Sequence, residues 1–318
     1  MVKPSVLITR RIPASVVARL EERCDVDIYT GPGAIPDAEL RARLAGRQAL
    51  MCLLTDRVDA AALASAPGLR IVANIAVGYD NVDCAAARAR GVVVTNTPDV
   101  LTEATADFTW GLILNITRRI SEGERLLRRG AWTGWALDFM LGTDLRGKQL
   151  GVVGMGRIGQ AVAARAGAFG MRVVYATIGA DAPAAAGYAR VSLDQLLTTS
   201  DVVTLHVPLT PETRHLIDRR AILRMPRRAY LVNTARGPVV DEEALAWALG
   251  EGLLSGAALD VYEREPEVHP GLLALENVVL APHLGSASVE TRTAMADLAA
   301  RNVLAVLAGE PPLTPVPA

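Results

Sequence analysis

The chain has 318 residues, 51% of them hydrophobic, and its 33 basic and 34 acidic side chains leave a formal net charge of −1. Such a balance argues against a dedicated nucleic-acid-binding protein, which needs a basic excess to displace counterions. With three widely spaced cysteines, four histidines and no apolar run of the ~20 residues that span a membrane, we expect a two-domain cytoplasmic protein with no metal site and no membrane partner.

The first hundred residues alternate short β-branched runs with helical stretches. Strands are predicted at 6–9, 26–29, 49–55, 71–75 and 92–95, and helices at 13–23 and 36–45. Strands that are separated by helices form crossover connections, which are almost always right-handed and leave the strands parallel. This part of the chain therefore predicts a parallel α/β sheet.

The alternation resumes after a break at 97–99. One continuous helix is predicted over residues 102–129, followed by strands at 150–153, 172–175, 201–206, 230–233, 256–259 and 278–280. Further helices are predicted at 161–169, 192–198 and 288–308, before a proline-rich tail at 311–318. A second parallel sheet is the expected result.

A glycine-rich turn, GMGRIG at 154–159, joins the apolar strand at 150–153 to a helix. Gly154 allows the tight turn, Gly156 lets the backbone approach a pyrophosphate, and Gly159 lets the helix pack against the strand. The N-terminus of the helix offers unpaired N–H groups and a partial positive charge to the anion. Such turns also occur without a ligand, but the strand before this one and the helix after it favour dinucleotide binding.

The end of the next strand gives a weak indication of the cofactor type. Rossmann domains that select NAD usually carry an acidic residue there, which binds the ribose 2′-hydroxyl. The expected position holds Ala176 or Thr177, and the nearest acid, Asp181, lies beyond a glycine. Because no carboxylate repels a 2′-phosphate and no neighbouring arginine attracts it, we expect a weak preference for NADP(H), with NAD(H) also accepted.

Three later strands end in polar side chains. Arg236 follows the strand at 230–233, Glu263 and Glu265 follow the next strand, and His283 follows the last. Ligands of open parallel sheets bind at the carboxyl ends of the strands. An arginine, a glutamate and a histidine that converge there form an anion clamp beside an oriented acid/base pair. Structural alternatives stay open: Arg236 can cap a strand end in a salt bridge, and either glutamate can be a solvated turn residue.

These residues stand among motifs that run in order along nearly the whole chain. The motifs are VGYDN at 77–81, TNTPDVLT at 95–102, GMGRIG at 154–159, PLTPET at 208–213 and the three strand ends above. Together they resemble the D-isomer-specific 2-hydroxyacid dehydrogenase family, and most of all its glyoxylate/hydroxypyruvate reductase branch. Of the two glutamates, Glu265 is preferred because it directly precedes Pro266, as in the family motif.

The resemblance implies two doubly wound, parallel-sheet α/β domains, Rossmann-like or flavodoxin-like, with a cleft between them. Residues 1–98 and 286–318 would form the substrate-binding domain. Residues 99–285 would form the dinucleotide-binding domain.

The resemblance also implies a homodimer, formed through the region of the long predicted helix. The apolar stripe from Leu112 to Ile120 is compatible with such an interface, as are Trp132 and Trp135. A tryptophan that matches Trp135 reaches the partner subunit's active site in the reductase branch. The alternative for both tryptophans is a core position.

The implied reaction is NAD(P)H-dependent reduction of a small 2-oxo acid, glyoxylate or hydroxypyruvate, by hydride transfer. His283 would be the general acid, and Glu265 would hold its imidazole in one tautomer and stabilise the charged form. Arg236 would bind the substrate carboxylate and polarise the carbonyl oxygen through its planar guanidinium group. The cofactor carries the hydride, and the protein orients it.

The resemblance assigns further binding contacts. Backbone N–H groups of Val77 and Gly78 would hold the substrate carboxylate, with Leu53 among the substrate-binding residues. Asp260 would face the nicotinamide carboxamide, and His206 would line the cofactor cleft, although a purely structural role is open for each. The implied cofactor contacts are Thr102, Gly154, Gly156, Arg157, Ile158, Gly159, Ala176, Thr177, His206, Val207, Pro208, Thr213, Thr234, Ala235, Asp260 and Gly285.

Two other functions stay open. A different member of the family would act on 3-phosphoglycerate, D-lactate, formate or phosphite. A cofactor-sensing corepressor would share the fold without turnover, but the complete catalytic set and the short tail after Gly309 disfavour it.

Overall fold

The computed structural model of the chain describes residues 3–178, 185 and 187–317. The chain divides into two compact units: unit 1 comprises Met1–Leu101 and Ser288–Ala318, and unit 2 comprises Thr102–Ala287. Unit 1 contains a five-stranded sheet and unit 2 a seven-stranded sheet, and all their strand pairs are parallel. The predicted fold class, two parallel-sheet α/β domains, is confirmed.

Unit 1 has the strand order of flavodoxin-like sheets. Its strands are β1 (Ser5–Ile8), β2 (Asp25–Ile28), β3 (Ala49–Cys52), β4 (Ile71–Asn74) and β5 (Val93–Thr95), in the order β2-β1-β3-β4-β5. Its helices are α1 (Ala14–Glu21), α2 (Asp37–Leu44), α3 (Ala60–Ala64), α4 (Cys84–Ala89) and, from the end of the chain, α12 (Val289–Ala308). The strand order reverses between β1 and β3, so the loops that follow these two strands diverge and leave a crevice at the carboxyl edge.

The proline-rich tail is part of unit 1 rather than a loose end. The N–H of Val316 donates to the Val94 carbonyl oxygen at 3.0 Å, and Thr95 forms an antiparallel bridge with Pro315. The tail therefore covers the outer edge of β5 as a short, irregular strand.

Unit 2 has the strand order of a Rossmann sheet with one added strand. Its strands are β6 (Gln149–Val153), β7 (Arg172–Ala176), β8 (Ala189–Arg190), β9 (Val202–Leu205), β10 (Tyr230–Asn233), β11 (Gly256–Leu259) and β12 (Val278–Leu280), in the order β12-β11-β10-β9-β6-β7-β8. Its helices are α5 (Thr102–Thr117), α6 (Ile120–Arg128), α7 (Arg157–Ala166), α8 (Leu193–Thr199), α9 (Arg219–Arg224), α10 (Glu242–Gly250) and α11 (Pro270–Leu273).

Apolar clusters cover both faces of the unit 2 sheet. Val203 and Leu231 pack into one cluster, whereas their chain neighbours Val202 and Val232 pack into the other. Successive side chains of a strand point to opposite faces, so strands that are buried on both faces are apolar throughout. This explains why the strands were evident in the sequence as continuous β-branched runs.

The prediction of one continuous helix over residues 102–129 is wrong. Arg118 and Arg119 separate α5 from α6, and Arg119 has a φ of 56°, in the left-handed region. The side chain of Asn115 secures the break, because its Nδ2 donates to Ser121 Oγ and its Oδ1 accepts from the Ser121 N–H, both at 2.8 Å. Neither glycine nor proline is present at this position, so the sequence pattern did not predict the end of the helix.

The break also bears on the apolar stripe from Leu112 to Ile120, which was considered as a dimer interface. Leu112, Ile113 and Ile116 are buried in the core of unit 2, whereas Ile120 lies beyond the break and is 56% exposed. Most of the stripe is therefore core and does not form a surface.

Candidate active site

Three adjacent strands of unit 2 deliver their following loops to one edge of the sheet. Asn233 of β10 is paired with Leu259 of β11, and Leu259 with Leu280 of β12, so the three strands end level. The loops that carry Arg236, Glu265 and His283 leave from these ends. This places the predicted arginine, glutamate and histidine at the carboxyl edge of a parallel sheet.

His283 and Glu265 form a hydrogen-bonded pair. The Nδ1 atom of His283 lies 2.9 Å from Oε2 and 3.2 Å from Oε1 of Glu265, and both side chains are 26% exposed. Burial raises the pKa of Glu265, but the hydrogen bond and charge of His283, the Tyr262 N–H and the charge of Arg236 outweigh it and hold this pKa below its usual range. The carboxylate therefore stays ionised beside the imidazole.

The backbone around His283 is held in an uncommon conformation. His283 has a φ of 55°, in the left-handed region that few residues other than glycine adopt. Its N–H donates to the Asp260 carbonyl oxygen at 2.9 Å. The next two N–H groups, of Leu284 and Gly285, donate to Oδ1 and Oδ2 of Asp260 at 2.6 and 2.7 Å. Asp260 thus fixes the loop that presents the histidine.

Asp260 is only 1% exposed. Burial raises its pKa, against the lowering effect of the Leu284 and Gly285 N–H groups and of His283. Each carboxylate oxygen of Asp260 already accepts a backbone N–H from the loop that follows β12. The carboxylate therefore holds this loop. The predicted contact with the nicotinamide carboxamide stays a prediction.

Two residues that sequence analysis missed shape the turn at Arg236. Nδ2 of Asn233 donates to the Arg236 carbonyl oxygen at 2.9 Å, and its Oδ1 accepts from the Ala235 N–H at 3.0 Å. A Cβ on Gly237 would lie 1.8 Å from the Tyr262 carbonyl carbon, so only glycine permits this approach to the segment that carries the glutamate. The glycine after the arginine was visible in the sequence, but the contact that requires it was not.

Tyr262 is a further supporting residue that the sequence did not reveal. Its hydroxyl donates to the Ala281 carbonyl oxygen at 2.9 Å and also lies 3.3 Å from the Leu259 carbonyl oxygen. Burial and the charge of Asp260 raise its pKa to about 12, so it stays a neutral donor. It ties together the loops that follow β11 and β12.

The other histidines are engaged elsewhere. Nε2 of His215 pairs with Oε1 of Glu263, so the glutamate that competed with Glu265 has its own partner. Nε2 of His206 lies 2.9 Å from the Thr204 hydroxyl, and burial lowers the pKa of this imidazole to about 3. His206 is therefore a neutral ring at the end of β9.

The glycine turn has the geometry of a pyrophosphate cradle. Gly154 has a φ of 94°, and a Cβ there would lie 2.5 Å from the His206 carbonyl oxygen. A Cβ on Gly159 would lie 2.1 Å from the Gly154 carbonyl oxygen, whereas a Cβ on Gly156 would meet nothing within 4 Å. Two glycines are thus required by the fold, and the third faces open space at the N-terminus of α7, which begins at Arg157 rather than at the predicted position 161.

The end of β7 carries an unsatisfied hydroxyl. Thr177 Oγ1 is buried and, among the described residues, has no hydrogen-bond partner. Ala176, the last residue of β7, is 1% exposed. Asp181 lies outside the described residues. A buried polar atom without a partner is unusual and fits a position that a ligand hydroxyl completes.

The remaining predicted cofactor residues occupy varied environments. Arg157 and Pro208 are exposed, Thr102 and Ile158 are half-buried, and Val207, Ala235 and Gly285 are buried. The hydroxyls of Thr234 and Thr109 are 3.0 Å apart. Thr213 is 2% exposed and donates its hydroxyl to the Pro208 carbonyl oxygen at 2.6 Å, so it shapes its own turn. Their contacts with a cofactor stay predictions.

The predicted substrate residues of unit 1 lie at the carboxyl edge of its own sheet. Leu53 follows β3, and Val77 and Gly78 follow β4, the neighbouring strand. All three residues are partly exposed.

A run of exposed apolar side chains extends from α6 into the loop before β6. Its members are Ile120, Leu127, Trp132, Trp135, Leu137, Phe139 and Leu141. Trp135 is 80% exposed, so a core position, the alternative for this tryptophan, is excluded.

Comparisons with known proteins agree with a nucleotide-dependent oxidoreductase. A family model described as D-isomer specific 2-hydroxyacid dehydrogenase, NAD binding domain, matches residues 110–285. A glyoxylate reductase from Thermofilum pendens is 47% identical over 98% of this chain and 94% of its own. A protein of known structure from Thermus thermophilus is 49% identical, with a TM-score of 0.93 over 98% of this chain and 100% of its own. The NADPH-dependent glyoxylate/hydroxypyruvate reductase of Sinorhizobium meliloti, solved with NADP and malonate, is 37% identical, with a TM-score of 0.86 over 99% of this chain and 97% of its own.

The chain belongs to the D-isomer specific 2-hydroxyacid dehydrogenase family. The resemblance that was inferred from the sequence motifs is confirmed, and the protein is an oxidoreductase whose residues 110–285 match the family's NAD-binding domain.

Two further observations concern membranes and metal ions. In the part of the chain that the structure describes, no helix is long and apolar enough to cross a membrane. Among the same residues, no three His, Cys, Asp or Glu side chains are grouped so that they could hold a metal ion.

Proposed function

We propose that the protein reduces small 2-oxo acids, with glyoxylate and hydroxypyruvate as the leading substrates, and uses NADPH or NADH as the hydride donor. The observation that carries the proposal is the 2.9 Å contact between His283 and Glu265 at the sheet edge that also carries Arg236. A 2-oxo acid has an electrophilic carbonyl group beside a carboxylate, and an acid/base pair next to an arginine complements both. The names of the relatives from Thermofilum pendens and Sinorhizobium meliloti support this substrate class.

The proposed catalytic residues have different roles. The bound nicotinamide supplies a hydride to the carbonyl carbon. His283 donates a proton to the carbonyl oxygen, so that negative charge does not remain there. Glu265 holds Nδ1, which directs Nε2 to the substrate and stabilises the protonated ring. Arg236 binds the carboxylate through two parallel N–H donors and polarises the carbonyl.

The residues that hold the cofactor in this proposal are those of the glycine turn and of β7. The open space at Gly156 and the first N–H groups of α7 fit a pyrophosphate. The unsatisfied hydroxyl of Thr177 fits a ribose oxygen. Without a carboxylate at Ala176 or Thr177, the 2′-phosphate of NADP(H) meets no charge repulsion there, so NADP(H) is weakly preferred over NAD(H). The bound NADP in the Sinorhizobium meliloti structure supports this preference.

Unit 1 contributes the carboxylate-binding loop, with Leu53 beside it, and thus serves as the substrate domain. Backbone N–H groups of Val77 and Gly78 hold the carboxylate in this proposal. Unit 2 serves as the dinucleotide domain.

The exposed apolar run from Ile120 to Leu141 is the proposed homodimer interface. Monomeric proteins rarely expose so many large apolar side chains together. In this arrangement Trp135 enters the partner subunit's active site and limits the size of the substrate. The molar mass in solution tests the dimer, and Trp135→Ala should raise KM for glyoxylate while it leaves the Kd of the cofactor unchanged.

A panel of 2-oxo acids, assayed with NADPH and with NADH, tests the function. Glyoxylate and hydroxypyruvate should give the highest kcat/KM, and NADPH should be used at least as well as NADH. A large preference for NADH would contradict the cofactor proposal alone. Turnover of none of the oxo acids would contradict the proposed function and favour the corepressor alternative.

A further inference from the structure

Glu242 is a buried carboxylate of unit 2 that the proposed reaction does not use. It is the first residue of α10 and only 5% exposed, whereas its neighbour Glu243 is exposed. The helix does not need Glu242 as a cap, because the side chain of Asp241 already accepts from the Ala244 N–H at 2.9 Å. Burial of a carboxylate is unfavourable unless hydrogen bonds replace the lost water. For Glu242 these hydrogen bonds come from outside α10.

The carboxylate of Glu242 binds the loop that carries Glu265. Its Oε1 accepts from the Glu263 N–H at 2.7 Å. Burial and the charge of Glu263 raise the pKa of Glu242, against the lowering effect of the N–H groups of Glu263 and His269 and of the charge of His269. The carboxylate thus lies beside both ends of the segment 263–269, which contains Glu265.

The peptide between Tyr262 and Glu263 is also packed against a second segment. A Cβ on Gly237, the residue after Arg236, would lie 1.8 Å from the Tyr262 carbonyl carbon and 2.4 Å from the Glu263 nitrogen. The N–H of Tyr262 donates to Oε1 of Glu265 at 3.1 Å. A shift of residues 262–263 would therefore move both this donor and the backbone from which the Glu265 side chain extends.

From these contacts we infer that Glu242 is a positioning residue for the acid/base pair. It fixes the Tyr262–Glu263 peptide, and thereby the place from which Glu265 reaches Nδ1 of His283 at 2.9 Å. The inference rests on the proposed function, because that proposal makes His283 the proton donor. Glu242 acts through the backbone of the loop and is not itself a catalytic residue.

A second contact holds Glu263 through its side chain. Nε2 of His215 pairs with Oε1 of Glu263, and the His215 N–H donates to the Pro238 carbonyl oxygen at 2.8 Å. The side chains of this pair are 38% and 22% exposed, so solvent screens their attraction. We therefore expect the buried hydrogen bond of Glu242 to be the stronger restraint on the loop.

Two substitutions of similar size separate the hydrogen bond from the negative charge. Glu242→Met keeps the length of the side chain and removes the acceptor. Glu242→Gln removes the charge but keeps an amide oxygen that can accept the Glu263 N–H. Glu243→Met is the matched control, because it makes the same change in the same first turn of α10 at an exposed position.

The measurements are kcat and KM for glyoxylate as a function of pH, the Kd of the cofactor, and Tm. Misplacement by 1 Å can cost 10²-fold in rate, so Glu242→Met should lower kcat about tenfold to a hundredfold. We expect Glu242→Gln to retain most of the activity, Glu243→Met to match the wild type, and the cofactor Kd to stay unchanged in all three variants.

The pH profile reports on the pair itself. Reduction consumes the protonated form of His283, which the carboxylate of Glu265 stabilises. When Glu265 is displaced, the loss of activity towards alkaline pH should begin about one pH unit lower than in the wild type. The other charged groups that act on Glu265 and His283, Arg236 and Asp260, are the same in the variant.

A double-mutant cycle tests whether Glu242 acts through Glu265. In a Glu265→Gln background, Glu242→Met should lower kcat by no more than about a further twofold, because the losses of residues that act through one another do not add. The full loss in that background would overturn the inference, since it would show that the two residues act independently.

The remaining outcomes separate this inference from the proposed function. A wild-type enzyme that reduces glyoxylate, with a Glu242→Met variant of unchanged kcat and pH profile, would overturn the inference alone. A Glu242→Gln variant as impaired as Glu242→Met would also overturn it, as would equal losses of kcat, cofactor affinity and Tm, which indicate a general structural role. A wild-type protein that reduces no 2-oxo acid would overturn the proposed function and this inference with it.

Discussion

Substitution of Gly156 by alanine should weaken cofactor binding without unfolding the apo protein. The space around a Cβ at this position is open to beyond 4 Å, and its φ of −74° suits alanine. Gly156 is the N-cap of α7, where alanine is somewhat less favourable than glycine, but alanine also reduces the entropy of the unfolded chain. These two effects oppose each other, so the free energy of unfolding should change by less than ~1 kcal/mol.

The expected loss of cofactor affinity is larger. In the proposed complex, the pyrophosphate approaches the backbone through the space that the new methyl group fills. Overpacking of a methyl-sized group costs ~1–3 kcal/mol, which corresponds to a Kd for NADPH about 5- to 150-fold higher. NADPH at 100 times the wild-type Kd stabilises the wild-type protein by ~2.7 kcal/mol. At the same concentration the variant should be stabilised by only ~1.8 kcal/mol if its Kd is 5-fold higher, and by ~0.3 kcal/mol if it is 150-fold higher.

Gly159→Ala is the matched variant with the opposite expectation. Its Cβ would lie 2.1 Å from the Gly154 carbonyl oxygen, so α7 must move away from β6. The apo protein should therefore lose at least ~1–3 kcal/mol of unfolding free energy, the usual result of overpacking. The two glycines are three residues apart in one turn, yet substitution of Gly156 should weaken cofactor binding and substitution of Gly159 should destabilise the fold.

Fluorescence titration with NADPH and thermal unfolding of the apo protein measure both quantities. A Gly156→Ala protein that binds NADPH as tightly as the wild type would refute the placement of the pyrophosphate at this turn. A Gly159→Ala protein as stable as the wild type would refute the packing of α7 against the glycine turn.

Three further predictions concern the acid/base pair and the arginine. His283→Ala should lower kcat by roughly 10²–10⁴ and retain the cofactor Kd, and near-normal turnover would contradict its role as general acid. Arg236→Lys should raise KM for the oxo acid and lower kcat, because a point charge does not replace a bidentate guanidinium; steady-state kinetics with both parameters unchanged would contradict the clamp. Because the folded state lowers the pKa of Glu265, the ionised carboxylate stabilises the fold. This stabilisation is present above the pKa of an unfolded glutamate, ~4.3, and is lost as the pH falls through the lower pKa of the folded state. Urea unfolding of Glu265→Gln should therefore show a weaker loss of stability over that acidic range, whereas identical pH slopes would contradict the pairing.

The fold was largely predictable because most of its strands, such as β3, β4, β9, β10 and β11, are buried throughout. Such strands appear in the sequence as short runs of β-branched and apolar residues, and crossover rules then supply the parallel order. The break at Arg119 escaped prediction because it depends on the side chain of Asn115, which bonds to Ser121 across the break. A residue of ordinary helix propensity gives no sign of a left-handed φ.

The placement of the candidate catalytic residues at one sheet edge was predictable for a different reason. Arg236, Glu265 and His283 are charged or titratable residues in the segments that follow predicted strands, and parallel sheets bind ligands at the carboxyl ends of their strands. Their geometry was not predictable, because the supporting contacts join distant parts of the chain. The carboxylate of Asp260, for example, accepts from the N–H groups of residues 284 and 285, on the loop of a different strand.

The same physical arrangement recurs on both sheets. Asn233 fixes the turn that carries Arg236, and Asn96 fixes the loop that carries the Val77 and Gly78 N–H groups. An amide side chain can donate to a carbonyl oxygen while it is neutral, so it orders a loop and adds no net charge there. Neither asparagine therefore places a charge in the loop that it holds.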